Sequence, residues 1–320
     1  MSIPDPRLVT RDELWRELEA LQGEELDPEV GLYGPDSAFW ALGRHSLAFL
    51  GAARAALLQL AHPWVANAID QHSRTRSDPL GRFRGTFRFV LTMAYGTLDQ
   101  AMEAALSVHE IHARVRGELV EVAGSHPRGE RYEANQIDAM VWVQATLWET
   151  SVMLYELILG PLDETFKERY YQESKRFARL FGIPREALPA DWPAFVAYNR
   201  AMWDSPVLGV GEVGRELGDF LFRVHPLLAP LLRRYRLFTA MLMPARLREG
   251  FALPPDTPDN RRRYERMLWL LRQSWPHLPR RLRYLPVYLE AQRRLRGKRG
   301  PDPVTAVMNR LMVGRYRLVS

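Results

Sequence analysis

The chain has 320 residues, 47% of them hydrophobic and 26% charged, and 44 basic against 38 acidic side chains leave a net charge of +6. A chain of that size and composition buries a core, which excludes a disordered protein, a collagen-like fibre and a small disulfide-stapled scaffold. There is no cysteine, which excludes thiolate zinc sites, iron–sulfur clusters, cysteine nucleophiles and thiolate-ligated haem. Residues 1–30 show no basic leader, apolar stretch or small-residue cleavage site of a secretory signal. The longest apolar stretch, about 46–61, is interrupted by Arg54 and is shorter than the ~20 residues of a membrane span. The expectation is a cytoplasmic protein.

In chain order the pattern is helical almost throughout. Residues 37–61 are rich in Ala and Leu behind an Asp36-Ser37 start signal. Residues 98–118 place Ala101, Ala105, Val108, His112 and Val115 along one stripe, which predicts a single helix. Residues 134–160 are apolar around most of their circumference and predict a central buried helix. Residues 162–182 are amphipathic and stop at Gly182, with Pro184 beyond. No alternating strand run bounded by a hairpin turn is visible. The fold class expected is all-α: one multi-helix globular domain with a helical extension over 1–34, a main body over 35–250 and a helical region over 251–320 packed on it.

That last region is basic. Residues 261–299 hold 13 Lys or Arg against Glu265 and Glu290, so the rest of the chain is net acidic. The arginines alternate with Met267, Leu268, Leu270, Leu271, Leu282, Tyr284 and Leu285, which fits the solvent face of amphipathic helices. Peripheral contact with an anionic membrane or an acidic partner stays open. No nucleic-acid-binding motif accompanies the charge.

The histidines divide into two kinds. His62, His126 and His225 each precede a proline, a position pushed out of helical geometry, and are expected in turns. His109 and His112 are three apart, near one face of the predicted helix, with Arg116 four residues beyond His112. A neutral imidazole there suits haem iron, zinc or non-haem iron; a packed core histidine beside a surface one is the plainer reading. Upstream, Asp78 and Pro79 read as the cap and first residue of a helix. Arg82 and Thr86, four apart, share one face of it. An arginine and a hydroxyl facing a cavity suit a carboxylate or a bound oxygen species; the alternative is a solvated surface helix.

Several runs together resemble the rubber oxygenase/MpaB-type oxygenase family. They are Leu58-Gln59-Leu60-Ala61-His62-Pro63, His72-Ser73, Asp78-Pro79-Leu80-Gly81-Arg82 with Thr86, Ile111-His112-Ala113-Arg114-Val115-Arg116-Gly117, Tyr132-Glu133-Ala134-Asn135 and Trp142-Val143-Gln144-Ala145-Thr146-Leu147, with Tyr170-Tyr171 and the Phe181-Gly182-Ile183-Pro184 turn. The resemblance covers roughly residues 35–250, which would form the catalytic domain. It implies an all-helical fold, haem b (iron) as cofactor, and dioxygen with an apolar isoprenoid or lipid-like molecule as substrates. By the same resemblance His112 is the axial iron ligand, His109 and Arg116 are its neighbours at the cofactor, and Arg82 and Thr86 are the catalytic pair. Gly85 stands where the latex-clearing branch has a lysine. The distal glutamate of that branch has no counterpart, Asp70 being the nearest acid, and Gln144 replaces a frequent histidine. An aromatic substrate pocket is expected from Phe39, Trp40, Phe87, Trp142 and Trp148. Two rival readings remain: a non-catalytic helical protein that docks through 261–299, and a non-haem metal enzyme using His109 and His112.

Overall fold

The computed structural model describes residues 7–223 and 229–320. Among them the chain forms sixteen α-helices and one two-stranded antiparallel sheet. The centre is α7 (Ile137–Leu159), which buries Trp142, Ala145, Trp148 and Val152. Its near-continuous apolarity gives it no solvent face, so helices surround it. α3 (Ala48–Leu60) lies along it. The close approach requires Gly51, where a Cβ would sit 2.4 Å from Leu154 and 2.5 Å from Thr150. α2 (Ala38–Gly43), α8 (Glu164–Arg179), α9 (Trp192–Asp204) and the helix over 258–274 also pack on it. α1 (Arg11–Gln22) packs on α8 and on α6 (Leu98–His112).

The helix predicted over 37–61 is two helices. Between α2 and α3 the main chain of Arg44 and Ser46 pairs with Leu285 and Arg283. These long-range hydrogen bonds replace the helical ones across the break. α4 (Pro63–His72) follows, capped by His62, and then α5 (Pro79–Tyr95), which packs against α6.

The helix predicted over 98–118 ends at His112, and Arg116 lies outside it. Arg116–Glu118 is strand β1, paired with β2 (Arg131–Glu133) in the register Arg116↔Glu133. Three-residue strands carry too little alternation to be read. Gly117 admits the turn of chain: a Cβ there would meet the Gln71 amide oxygen at 2.6 Å and the Tyr132 hydroxyl at 2.7 Å.

The second half adds α10 (Glu212–Phe220), α11 (Ala229–Leu242), α12 (Ala245–Gly250), α13 (Pro258–Ser274), α14 (Arg280–Arg283), α15 (Pro286–Leu295) and α16 (Pro303–Val313). α15 and α16 pack on α5. The basic stretch is not one solvated face. On α15, Arg293 donates to Gly300 O, and Arg294 donates to Val319 O and Tyr95 O. Glu290, fully buried, accepts the backbone N–H of Leu318 and Val319 and the Ser320 hydroxyl. These groups staple the C-terminal segment. No described helix is long and apolar enough to cross a membrane.

Candidate functional site

α5 presents Arg82 and Thr86 on one face. Its start is set by Asp78, whose carboxylate accepts the Gly81 N–H at 2.9 Å, with Pro79 in the first turn. The Arg82 guanidinium donates to the Thr86 hydroxyl through Nη1 and to Ser73 Oγ through Nε at 2.9 Å. Ser73 Oγ is 2.8 Å from Thr75 Oγ1, so the guanidinium sits in a small hydroxyl cluster at the exit of α4. Arg82 and Thr86 are exposed as residues, yet enough of the guanidinium is shielded that desolvation lowers its pKa. A Cβ at Gly85, on the adjoining part of this face, would meet nothing within 4 Å. The face is therefore open.

α6 brings His109 and His112 to the same region in its last turn. His112 is pushed down to about 4, first by burial, then by the Arg82 cation and by His109. Arg82 and His112 are thus electrostatic neighbours across the α5–α6 contact. The Asn135 side chain lies within hydrogen-bonding reach of the His112 ring, while the buried Nδ1 has no partner among the described residues. His112 is neutral at pH 7 with an unpartnered nitrogen, the state in which an imidazole ligates a metal.

His109 is buried and turns toward α1: burial first and then Arg11 lower its pKa, with Glu110 opposing. Its Nδ1 is also unpartnered. Arg116 is not on this face; it is exposed on β1, because the chain leaves helical geometry after His112. Ser73 and Asn135 were visible only as members of quoted motifs, with nothing to show that one holds Arg82 and the other reaches His112. Asp70 is engaged elsewhere, with its carboxylate 2.8 Å from Arg76, which also holds Glu216.

The expected aromatic pocket is largely core. Trp40 and Trp142 are fully buried and donate their indole N–H to Ala94 O and Leu58 O, and Trp148 packs against Tyr171 and Phe195. Buried tryptophans satisfied in this way serve packing. Phe39 stacks on Tyr33 at 4.0 Å. Phe87 alone of the five is on α5 with Arg82 and Thr86. It stacks on Phe83 at 4.2 Å and meets Phe49 of α3 at 5.4 Å, forming an aromatic wall between α5 and α3.

A second histidine cluster escaped the sequence reading. His62 caps α4 and His126 lies in the β1–β2 connection, both in turns, while His225 lies outside the described residues. The rings of His62 and His126 are 5.4 Å apart, and each is within 5.3 Å of Trp64. His126 Nδ1 is 2.8 Å from the Glu130 carboxylate. His62 Nδ1, Trp64 Nε1 and His126 Nε2 are buried without partners among the described residues. Burial, and secondarily His126, pushes His62 down to about 3.

Among the described residues no group of three or more His, Asp or Glu is placed to hold a metal ion, so the non-haem reading gains no donor set from the fold. A small cavity beside His45, Leu47 and Tyr155 and a cleft between Arg7, Glu17 and Glu186 touch neither His112 nor Arg82.

Comparison with known proteins adds the following. The family described as ER-bound oxygenase mpaB/B'/Rubber oxygenase, catalytic domain, matches residues 40–273. Uncharacterized proteins of Mycobacterium bovis and Mycobacterium tuberculosis are each 26% identical over 152 residues, 46% of this chain and 57% of the relative. The chain thus spans little more than half the length of these curated relatives. No solved structure matches.

Proposed function

Because the chain belongs to the family of ER-bound oxygenase mpaB/B' and rubber oxygenase catalytic domains, we propose that it is a haem b-dependent oxygenase acting with dioxygen on an apolar, isoprenoid or lipid-like substrate. The observation that carries the haem assignment is His112, a half-buried residue whose neutral imidazole has a shielded Nδ1 with no partner among the described residues and lies beside the Arg82 cation. These donors fit the group. A depressed pKa keeps the lone pair free of a proton at working pH, and Asn135 restricts the rotation of the ring.

When bound, haem would supply the redox chemistry with dioxygen, which no side chain provides. The chain supplies position and charge. Ser73 and Thr86 hold the Arg82 guanidinium in one orientation. A preoriented cation of this kind stabilises an anionic oxygen without reorganising; a carboxylate of the cofactor or a reduced oxygen atom qualifies. The opening at Gly85 leaves room beside that cation. The Phe49–Phe83–Phe87 wall offers the apolar surface that an isoprenoid chain requires. His109 backs His112 from the α1 side and has no contact that assigns it a direct role. Arg116 lies four residues beyond His112, exposed on β1.

The test is the absorption spectrum of protein expressed with a haem precursor. A Soret band in the wild type that is absent from His112→Ala supports the assignment. Equal haem content in the two proteins removes His112 as the ligand, and a wild type that takes up no haem removes the cofactor.

A further inference from the structure

α13 is amphipathic in an unusual way. Its inner face, Tyr264, Met267, Leu268 and Leu271, packs against Phe238, Ile158 and Trp275. Its outer face is not purely polar. Arg262, Arg266, Trp269 and Gln273 follow one stripe at helical spacing, flanked by Arg263 and Leu270, and all six are exposed. Trp269 is 57% and Leu270 53% exposed. The next helix continues the pattern with exposed Arg280, Arg281 and Leu282.

The charges are only partly neutralised within the chain. From Pro258 to Arg283 there are eight arginines against Asp259 and Glu265. Asp259 is shared by Arg262 and Arg263, at 3.6 and 2.8 Å, Arg261 pairs with Asp256, and Arg281 lies 3.3 Å from Asp302. Arg272 donates to Leu157 O at the end of α7. Arg266 has no ion pair among the described residues, and Arg280 lies over the Tyr284 ring. Arg293 and Arg294 of α15 are bound to internal carbonyls, so among the helices of the basic stretch the exposed cations lie on α13 and α14, with Arg296, Lys298 and Arg299 exposed beyond α15.

We propose that the α13–α14 face docks the protein on an anionic lipid bilayer, with Trp269, Leu270 and Leu282 at the headgroup–acyl boundary and Arg262, Arg266 and Arg280 on the lipid phosphates and carboxylates. Charge complementarity selects the occupant, and the exposed apolar groups distinguish it from nucleic acid: two leucines have no use against a phosphate backbone, whereas a helix of this type lies in the plane of a membrane interface. Tryptophan favours that depth because its ring is apolar and its N–H is wet. The inference stands apart from the oxygenase reading, since none of these residues lies at the Arg82–His112 site.

Full-length protein is centrifuged with vesicles of phosphatidylcholine alone and of phosphatidylcholine with phosphatidylserine. Binding is expected on the anionic vesicles only, and to weaken at ~1 M salt, where screening acts within ~3 Å. Each arginine near such a surface contributes about a fivefold factor, so R262E/R266E is expected to lower partitioning by about 25-fold or more, and R280E by about fivefold or more. W269A/L270A is expected to weaken binding while the salt dependence persists. Circular dichroism of each variant checks that the fold is retained. Absence of binding, equal binding to both vesicles, or wild-type binding by folded R262E/R266E and R280E overturns the proposal. So does salt-sensitive binding to duplex DNA without binding to vesicles.

Discussion

Two histidine clusters lie at opposite ends of α4, one at His62 before its first residue and one beyond Ser73 at its exit, and their surroundings differ. Both contain imidazoles held neutral and nitrogens without partners among the described residues. At His62 the ring is enclosed by His126 and Trp64, and Glu130 supplies a negative charge to His126. At His112 the neighbour is a guanidinium fixed by two hydroxyls, beside a stretch of α5 where Gly85 leaves space. Burial and a depressed pKa therefore do not distinguish the two clusters. The fixed cation and the open space at Gly85 do.

The sharpest way to break this comparison is to compare haem content between the clusters. His112→Ala is expected to lose the Soret band entirely, whereas His126→Ala is expected to retain it. The reverse result would exchange the two clusters. Next in size is the cation. Arg82→Ala is expected to slow oxygen consumption by about a hundredfold, corresponding to ~3 kcal/mol for a lost preoriented donor. Arg84 is the control on the same helix, about 200° away. It is not simply solvated, because its Nε donates to Leu311 O on α16 at 3.2 Å. Arg84→Ala is thus expected to cost about 1 kcal/mol of stability with near-normal turnover. Indistinguishable kinetics for the two variants would make α5 an ordinary surface helix.

A smaller effect follows from the titrations. The folded-state pKa values of His112, about 4, and His62, about 3, lie below the ordinary 6.5. The folded protein then binds fewer protons than the unfolded one. Its stability is complete above pH 6.5 and falls on acidification toward pH 4 for His112 and pH 3 for His62. Each group adds at most about 1.4 kcal/mol per pH unit to the slope. Denaturant unfolding between pH 7 and 4 should give a shallower slope for His62→Asn and for His112→Asn than for the wild type. Unchanged slopes would mean that these rings are protonated in the fold. The smallest effect is expected at Gly85. Gly85→Ala places a methyl where nothing lies within 4 Å, so thermal unfolding should show a gain of about 1 kcal/mol from helix propensity. A loss would show that the position is already filled.

Much of the fold was legible along the chain, because helix periodicity repeats every few residues and helices such as α1, α5 and α8 start on local capping groups. The apolar circumference of 134–160 announced α7, Asp78-Pro79 announced α5, and the spacing of Arg82 and Thr86 placed them on one face. The motif runs carried the family. By themselves they did not show that α5 and α6 would bring Arg82 next to His112, nor which aromatic residues would be wall and which core.

The tertiary structure decided the rest, and in each case the deciding contact joins segments distant in sequence. Beyond the end of α6 the chain pairs as β1 with β2, and Gly117 lies close against Gln71 and Tyr132. The 37–61 helix divides because residues 283–285 supply its hydrogen bonds. Trp40 and Trp142 became core because carbonyls of α5 and α3 accept their N–H groups. In the basic C-terminal region α13 and α14 keep arginines exposed while α15 turns inward, because Gly300 O accepts from Arg293 and Val319 O and Tyr95 O accept from Arg294. Periodicity sorts residues into faces within a helix. Which face meets which partner depends on how the distant segments pack, and it is this packing that sets the charge and space around each histidine.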